Sequence, residues 1–209
     1  QDVISASLND NTVAWYENGL AAYATPGFTS SNITTSADNA RSVYAADIDN
    51  DGDMDVLSAS YSDDKIAWYE SNGAADPSFT ARTITTSADG AYSVYAADID
   101  NDGDLDVLSS SLRDDKIAWY ESDGAADPSF TARTITTSAA NARQVYAADM
   151  DNDGDLDVLS ASYDDDKIAW YESNGAADPS FTAHTITTSA DEAHSVYAID
   201  IDSDGDIDV

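Results

Sequence analysis

The stretch DIDNDGDMDVLSAS, residues 47–60, decides the reading of this chain. Its first nine residues follow the pattern D-x-D-x-D-G-D-x-D, and the residues behind them are small or β-forming. Carboxylates at alternate positions of a tight loop can converge on one ion, and calcium takes six to eight oxygen ligands. The glycine at the sixth position permits the sharp turn that such a loop needs. Asp47, Asp49, Asp51 and Asp55 are therefore expected as side-chain ligands, with Asp53 offering its backbone carbonyl. Crowded carboxylates cannot all stay ionised cheaply without a counter-ion, and a divalent cation supplies one.

The motif returns at 98–106, 149–157 and 200–208, each copy 51 residues after the last. The expected ligand set thus extends to Asp98, Asp100, Asp102, Asp104 and Asp106, and to Asp149, Asp151, Asp153, Asp155 and Asp157. Asp200, Asp202, Asp204, Asp206 and Asp208 complete it. One ion per repeat gives about four Ca2+ for the chain. An EF-hand loop is set aside, because it needs a glutamate at position 12 and flanking helices. Here position 9 is aspartate and a β-stretch follows at once.

Tryptophans mark the same period at Trp15, Trp68, Trp119 and Trp170, with two extra residues between Glu17 and Asp47 in the first repeat. Each repeat divides into four strand-like stretches, seen in the first full copy at 42–49, 55–63, 65–71 and 78–87. Threonine, valine, isoleucine, tyrosine and tryptophan fill these stretches, and Gly, Pro, Asp and Asn separate them. No stretch shows sustained helical periodicity. In KIAWYES (65–71), Ile66 and Trp68 point one way and Ala67 and Tyr69 the other, so both faces are apolar or aromatic. A sheet with one solvated face alternates apolar with polar, whereas a blade covered by neighbours on both sides does not. Four short strands per repeat of this length indicate a blade. The expected fold is all-β: a β-propeller of four-stranded antiparallel blades, one domain over 1–209, with units of approximately 3–55, 56–106, 107–157 and 158–208. The two ends fall in the same phase of the repeat, so a first strand from 195–202 and the strands of the N-terminal piece are expected to complete one blade.

The acidic motif, followed by DVLSAS and later by AWYESNG, resembles the FG-GAP/VCBS-type repeats of integrin α-subunit propellers, of some fungal and bacterial lectins, and of secreted microbial proteins. The resemblance covers essentially the whole chain. It implies a propeller with calcium in the loop between the first and second strands of each blade, held by the first, third, fifth and ninth motif positions and by the seventh through its carbonyl. Propellers of this family commonly have seven blades, and this chain has material for four.

The 41 acidic residues against 8 basic ones give a net charge of −33, a field that repels nucleic acid and anionic membranes and attracts cations. Hydrophobic residues at 42% and aromatic residues at 10% argue against disorder. The absence of cysteine removes disulfides and thiolate sites. No apolar run is long enough to span a bilayer, so no membrane insertion is expected. Asn32-Ile33-Thr34 is a glycosylation sequon. The tryptophans can be read as sugar platforms, but packing between blades suits them better. The tyrosines at 44, 95, 146 and 197 are expected to fill inter-blade space. His184 and His194 lie outside any motif with ligand spacing, and no catalytic arrangement has a local signature.

The chain is thus expected not to be an enzyme. The leading expectation is a calcium-binding structural or adhesive interaction module, extracellular or at the cell surface, where calcium is abundant. Its partners would be other proteins, extracellular glycans, or copies of itself through the terminal strands. The alternatives are a carbohydrate-binding lectin and a non-catalytic propeller domain of a larger secreted enzyme.

Overall fold

The computed structural model describes residues 1–19 and 27–209. Among the described residues fifteen strands form four antiparallel sheets. The first sheet has three strands, β1 (Val3–Ser7), β2 (Thr12–Asn18) and β3 (Phe28–Thr34), in the order β1-β2-β3. The second runs β4 (Ala40–Ala46), β5 (Asp55–Ser60), β6 (Lys65–Ser71), β7 (Phe79–Thr85). The third repeats it with β8 (Ala91–Ala97), β9 (Asp106–Ser111), β10 (Lys116–Ser122) and β11 (Phe130–Thr136). The fourth does so with β12 (Ala142–Ala148), β13 (Asp157–Ser162), β14 (Lys167–Ser173) and β15 (Phe181–Thr187). Each sheet is therefore a meander, and its hairpin turns use left-handed residues such as Asp64 (φ 54°) and Gly73 (φ 63°).

The two apolar faces of each blade have different jobs. The face bearing Leu57, Ile66 and Trp68 packs on Val94, Val107, Ala118 and Tyr120 of the next blade. Leu108, Ile117 and Trp119 repeat the arrangement against Val145, Val158, Ala169 and Tyr171. Trp68 and Trp119 are each 1% exposed, so these two are inter-blade packing and not sugar platforms. Burying a side chain of that size stabilises each interface by about 2 kcal/mol or more.

The first strands of the blades, β4, β8 and β12, lie side by side on the inner edge of the stack. Their tyrosines form one row: Tyr44, Tyr95, Tyr146 and then Tyr197, with centroids 4.6, 5.0 and 5.0 Å apart. Neighbouring rings meet at the same 49° interplanar angle at every step, so the contact between first strands repeats from blade to blade. The row continues past the last complete sheet into 193–209, where Val196 and Ala198 cover Leu159 and Ala161. This tail forms no strand. Ile199 and Asp208 bridge each other instead, Tyr197 is 60% exposed, and the sheet β1-β2-β3 keeps three strands. No backbone pairing joins this tail to β1 among the described residues. The two-residue insertion of the first repeat falls in the turn that joins Asn18 to its partner Phe28, and most of that turn lies outside the described residues.

Candidate metal centre

Each acidic loop leaves the inner strand of a blade and enters the second strand, for example from Ala46 to Asp55. The loop is prefolded by its own side chains. Asp47 accepts from Asp51 N (3.1 Å, Oδ1) and Gly52 N (3.0 Å, Oδ2), and Asp49 Oδ1 accepts from Asp51 N at 3.2 Å. Asn50 at φ 57° and Gly52 at φ 95° supply the two left-handed positions that close the turn. Gly52 has open space where a Cβ would stand, so its backbone conformation and not crowding requires glycine. Asp98 and Asp149 hold their loops with the same pair of hydrogen bonds.

The ninth residue anchors the loop to the sheet. Asp55 is 1% exposed, accepting from Ile48 N at 3.1 Å and from Ser71 N at 2.8 Å. Asp106 does the same with Ile99 N and Ser122 N, and Asp157 with Met150 N and Ser173 N. In the fourth loop Asp208 accepts the first of these, from Ile201 N at 3.0 Å.

These bonds bring the first, third and ninth positions together. Carboxylate oxygens of Asp47, Asp49 and Asp55 all lie within 4.8 Å of one another, and so do those of Asp98, Asp100, Asp106; of Asp149, Asp151, Asp157; and of Asp200, Asp202, Asp208. The fifth and seventh positions stand apart. Asp51 Oδ1 accepts from Asp53 N at 2.9 Å, and the Asp53 carboxylate turns toward Gly73, whose missing side chain gives it room. Asp102, Asp153 and Asp204 repeat the first contact with Asp104, Asp155 and Asp206. Asp104 and Asp155 place their carboxylates beside Gly124 and Gly175 in the same way.

The electrostatics favour a cation. Burial pushes Asp106 up to about 7, helped by the like charges of Asp100 and Asp102. Burial likewise takes Asp157 to about 6, with Asp151 and Asp153 adding to it. Asp49, Asp55, Asp100 and Asp151 are raised too, chiefly by burial. A donor set of oxygens alone, three of them carboxylate, fits a hard divalent cation better than a soft metal. The residues that would hold it are the triads above, and the ion would cancel the repulsion that raises these acids.

The other residues singled out by sequence are scattered. Asn32 is exposed on β3, opposite Ala14. His184 stacks on Trp170 (4.7 Å) and contacts Glu172 Oε2 at 2.6 Å, while His194 meets the Tyr163 ring edge-on at 5.1 Å. Sequence reasoning missed the role of the arginine at the His184 position in earlier repeats. Arg82 ties Glu70 to Asp127 of the next blade, and Arg133 ties Glu121 to Asp178, each at 2.6 Å. The repeat spacing of 51 from Arg82 to Arg133 was the available signal.

No curated protein matches the chain. A solved structure described as the basis of specific recognition of non-reducing terminal N-acetylglucosamine by an Agrocybe aegerita lectin matches with TM-score 0.54 and 14% identity. The match covers 88% of this chain and 52% of that one, so the chain spans about half the length of the lectin it resembles. At that identity the likeness concerns the fold. The model of the FG-GAP-like repeat matches residues 1–58, 49–109, 110–160 and 149–209. With every repeat matched, the chain belongs to the FG-GAP-like repeat family.

Proposed function

We propose that the chain is a calcium-stabilised β-propeller module that binds partners outside the cell or at its surface, and that it is not an enzyme. The observation that carries this reading is the recurrence of one aspartate triad, in one geometry, in all four repeats. Catalytic sites are single and irregular, whereas a repeated site at every blade is a structural device. Loops built on aspartate alone suit the millimolar calcium of extracellular fluids, which supports the localisation. An acidic shell of net charge −33 disfavours nucleic acid as a partner and leaves proteins and glycans. The lectin fold-mate supports glycans among these partners, so a carbohydrate-binding role is the second reading.

Calcium that binds only the folded chain stabilises it by mass action. Millimolar calcium should raise the melting temperature by several degrees over protein in chelator, with magnesium far less effective. Calorimetry should count one ion per loop. Identical melting curves in calcium and in chelator would refute the metal assignment.

A further inference from the structure

The inner strands carry acidic loops at one end only. Their other ends bear a different surface. Arg41, Tyr92, Arg143 and His194 occupy one repeat position there, the second residue of each inner strand or its equivalent. Seven-residue strands place this surface about 20 Å from the acidic loops.

The side chains at this end form a continuous cation–aromatic row. Arg41 stands over Tyr61 (5.1 Å) and Tyr92 (5.3 Å). Arg143 stands over Tyr92 (4.9 Å) and Tyr163 (4.5 Å). Arg113 caps Tyr61 at 4.3 Å. Three of the chain's eight basic side chains are thus gathered on one face of a protein with 41 acidic residues.

Two of them are unpaired. Arg82, Arg133 and Arg113 each hold carboxylates at 2.6–3.3 Å. Among the described residues Arg41 and Arg143 have no carboxylate within 4.0 Å, and the Nε of each is buried without a hydrogen-bond partner, so a ligand would meet the terminal N–H groups. Stacking on tyrosine fixes the plane of a guanidinium but uses none of its N–H donors. A guanidinium so fixed is prepared for bidentate capture of a carboxylate, with little side-chain entropy left to lose.

The rest of the molecule narrows the class of ligand. A field of −33 repels a long polyanion, so a ligand with one or a few charges suits the face. Tyrosine rings offer apolar edges and hydroxyls together, as sugars require. We propose that this face binds a short acidic saccharide laid along the row: Arg41 and Arg143 each take a carboxylate from a different uronic-acid residue, and the edges and hydroxyls of Tyr61, Tyr92 and Tyr163 line its path. The assignment rests on the reading of the chain as a partner-binding module and names one partner class and its site.

The test is calorimetric titration of the 209-residue chain, in millimolar calcium, with trigalacturonate and with its neutral methyl ester. The acid form should bind at least about tenfold more tightly than the ester. The double substitution Arg41→Gln with Arg143→Gln should abolish that preference while the calcium-dependent melting shift persists. Should the double variant lose its calcium transition, the single variants carry the test, each expected to weaken acid binding severalfold. Equal binding of acid and ester, or full binding by the variants, overturns the site and leaves the calcium module standing. Equal binding of a short DNA duplex, lost in the double variant, overturns the saccharide assignment in favour of a general anion patch. No saccharide binding, with the calcium shift intact, overturns the proposal alone.

Discussion

At the scale of single residues, the ninth aspartate of each loop matters most. Asp106 is 1% exposed and occupies both oxygens with backbone donors from two different segments, Ile99 N and Ser122 N. Asp106→Ala would leave two buried N–H groups unsatisfied, at about 1–3 kcal/mol each. The expected result is a melting temperature lower by several degrees even in chelator, together with loss of one calcium from the titration stoichiometry. A variant that loses the ion but melts normally in chelator would show that the anchoring bonds contribute nothing. The same residue sets a pH dependence. Burial raises Asp106 to about 7 and Asp157 to about 6, against 3.8 for the free side chain. The folded state then holds these protons more tightly than the unfolded one. Without calcium, their contribution is full below about pH 4 and is lost as pH rises through 6 and 7. Calcium replaces the proton, so the stabilisation it gives should grow over that window. Melting at pH 5 and pH 8, with calcium and with chelator, measures this, and a calcium shift no larger at pH 8 would contradict it.

At the scale of elements, the loops and hairpins are fitted to each other. Asn50 Nδ2 donates to Asp104 Oδ1 at 2.9 Å, and Asn101 Nδ2 to Asp155 Oδ1 at 2.7 Å, so each acidic loop touches the next. The Asp104 carboxylate reaches that position through space beside Gly124, where a Cβ would come within 1.9 Å of Oδ2. Gly124 also has φ 63°. Gly124→Ala should therefore cost about 1 kcal/mol from the backbone alone. It should also displace Asp104 and loosen the contact with Asn50. Thermal melting reads the first effect, and a change in the cooperativity of calcium binding reads the second; a variant unchanged in both would show that the glycine is incidental. Strand positions were readable in advance because β-formers and turn residues alternate so regularly. The KIAWYES stretch at 65–71 became β6 without change. The stretch at 42–49 began two residues earlier and stopped at Ala46, because Asp47 leaves the ladder to bind its own loop. The triad was only partly readable. Alternation marks five aspartates per loop, but the hydrogen bond from Asp53 N and the space at Gly73, which turn Asp51 and Asp53 aside, depend on tertiary placement.

At the scale of the whole molecule, repetition explains what could and could not be foreseen. A sequence period fixes the contact between neighbouring internal blades: Trp68 packs toward the Tyr120 face and Trp119 toward the Tyr171 face. It says nothing of how the outer faces of the first and last described sheets are covered. The consequences show at the ends. Tyr197 is 60% and Ile201 72% exposed, and Val3 on β1 is 49% exposed. The tail carries an inner-strand sequence and β1 is a second strand, and among the described residues neither has the other as its partner. Internal blades give the register that would join them. Val43 faces Ser58 and Tyr44 faces Leu57, which maps onto Val196 facing Ser5 and Tyr197 facing Ile4. Unpaired strand edges with matching apolar faces associate unless something blocks them. The 209-residue chain at high concentration in calcium should therefore show a solution mass above that of the 22.1 kDa monomer. Ala198→Pro, which cannot donate within a ladder, should return it to the monomer mass while keeping three calcium loops intact. A wild-type monomer at every concentration would mean that the edges stay apart between molecules. Association that survives Ala198→Pro would mean that another surface, and not this strand, holds the copies together.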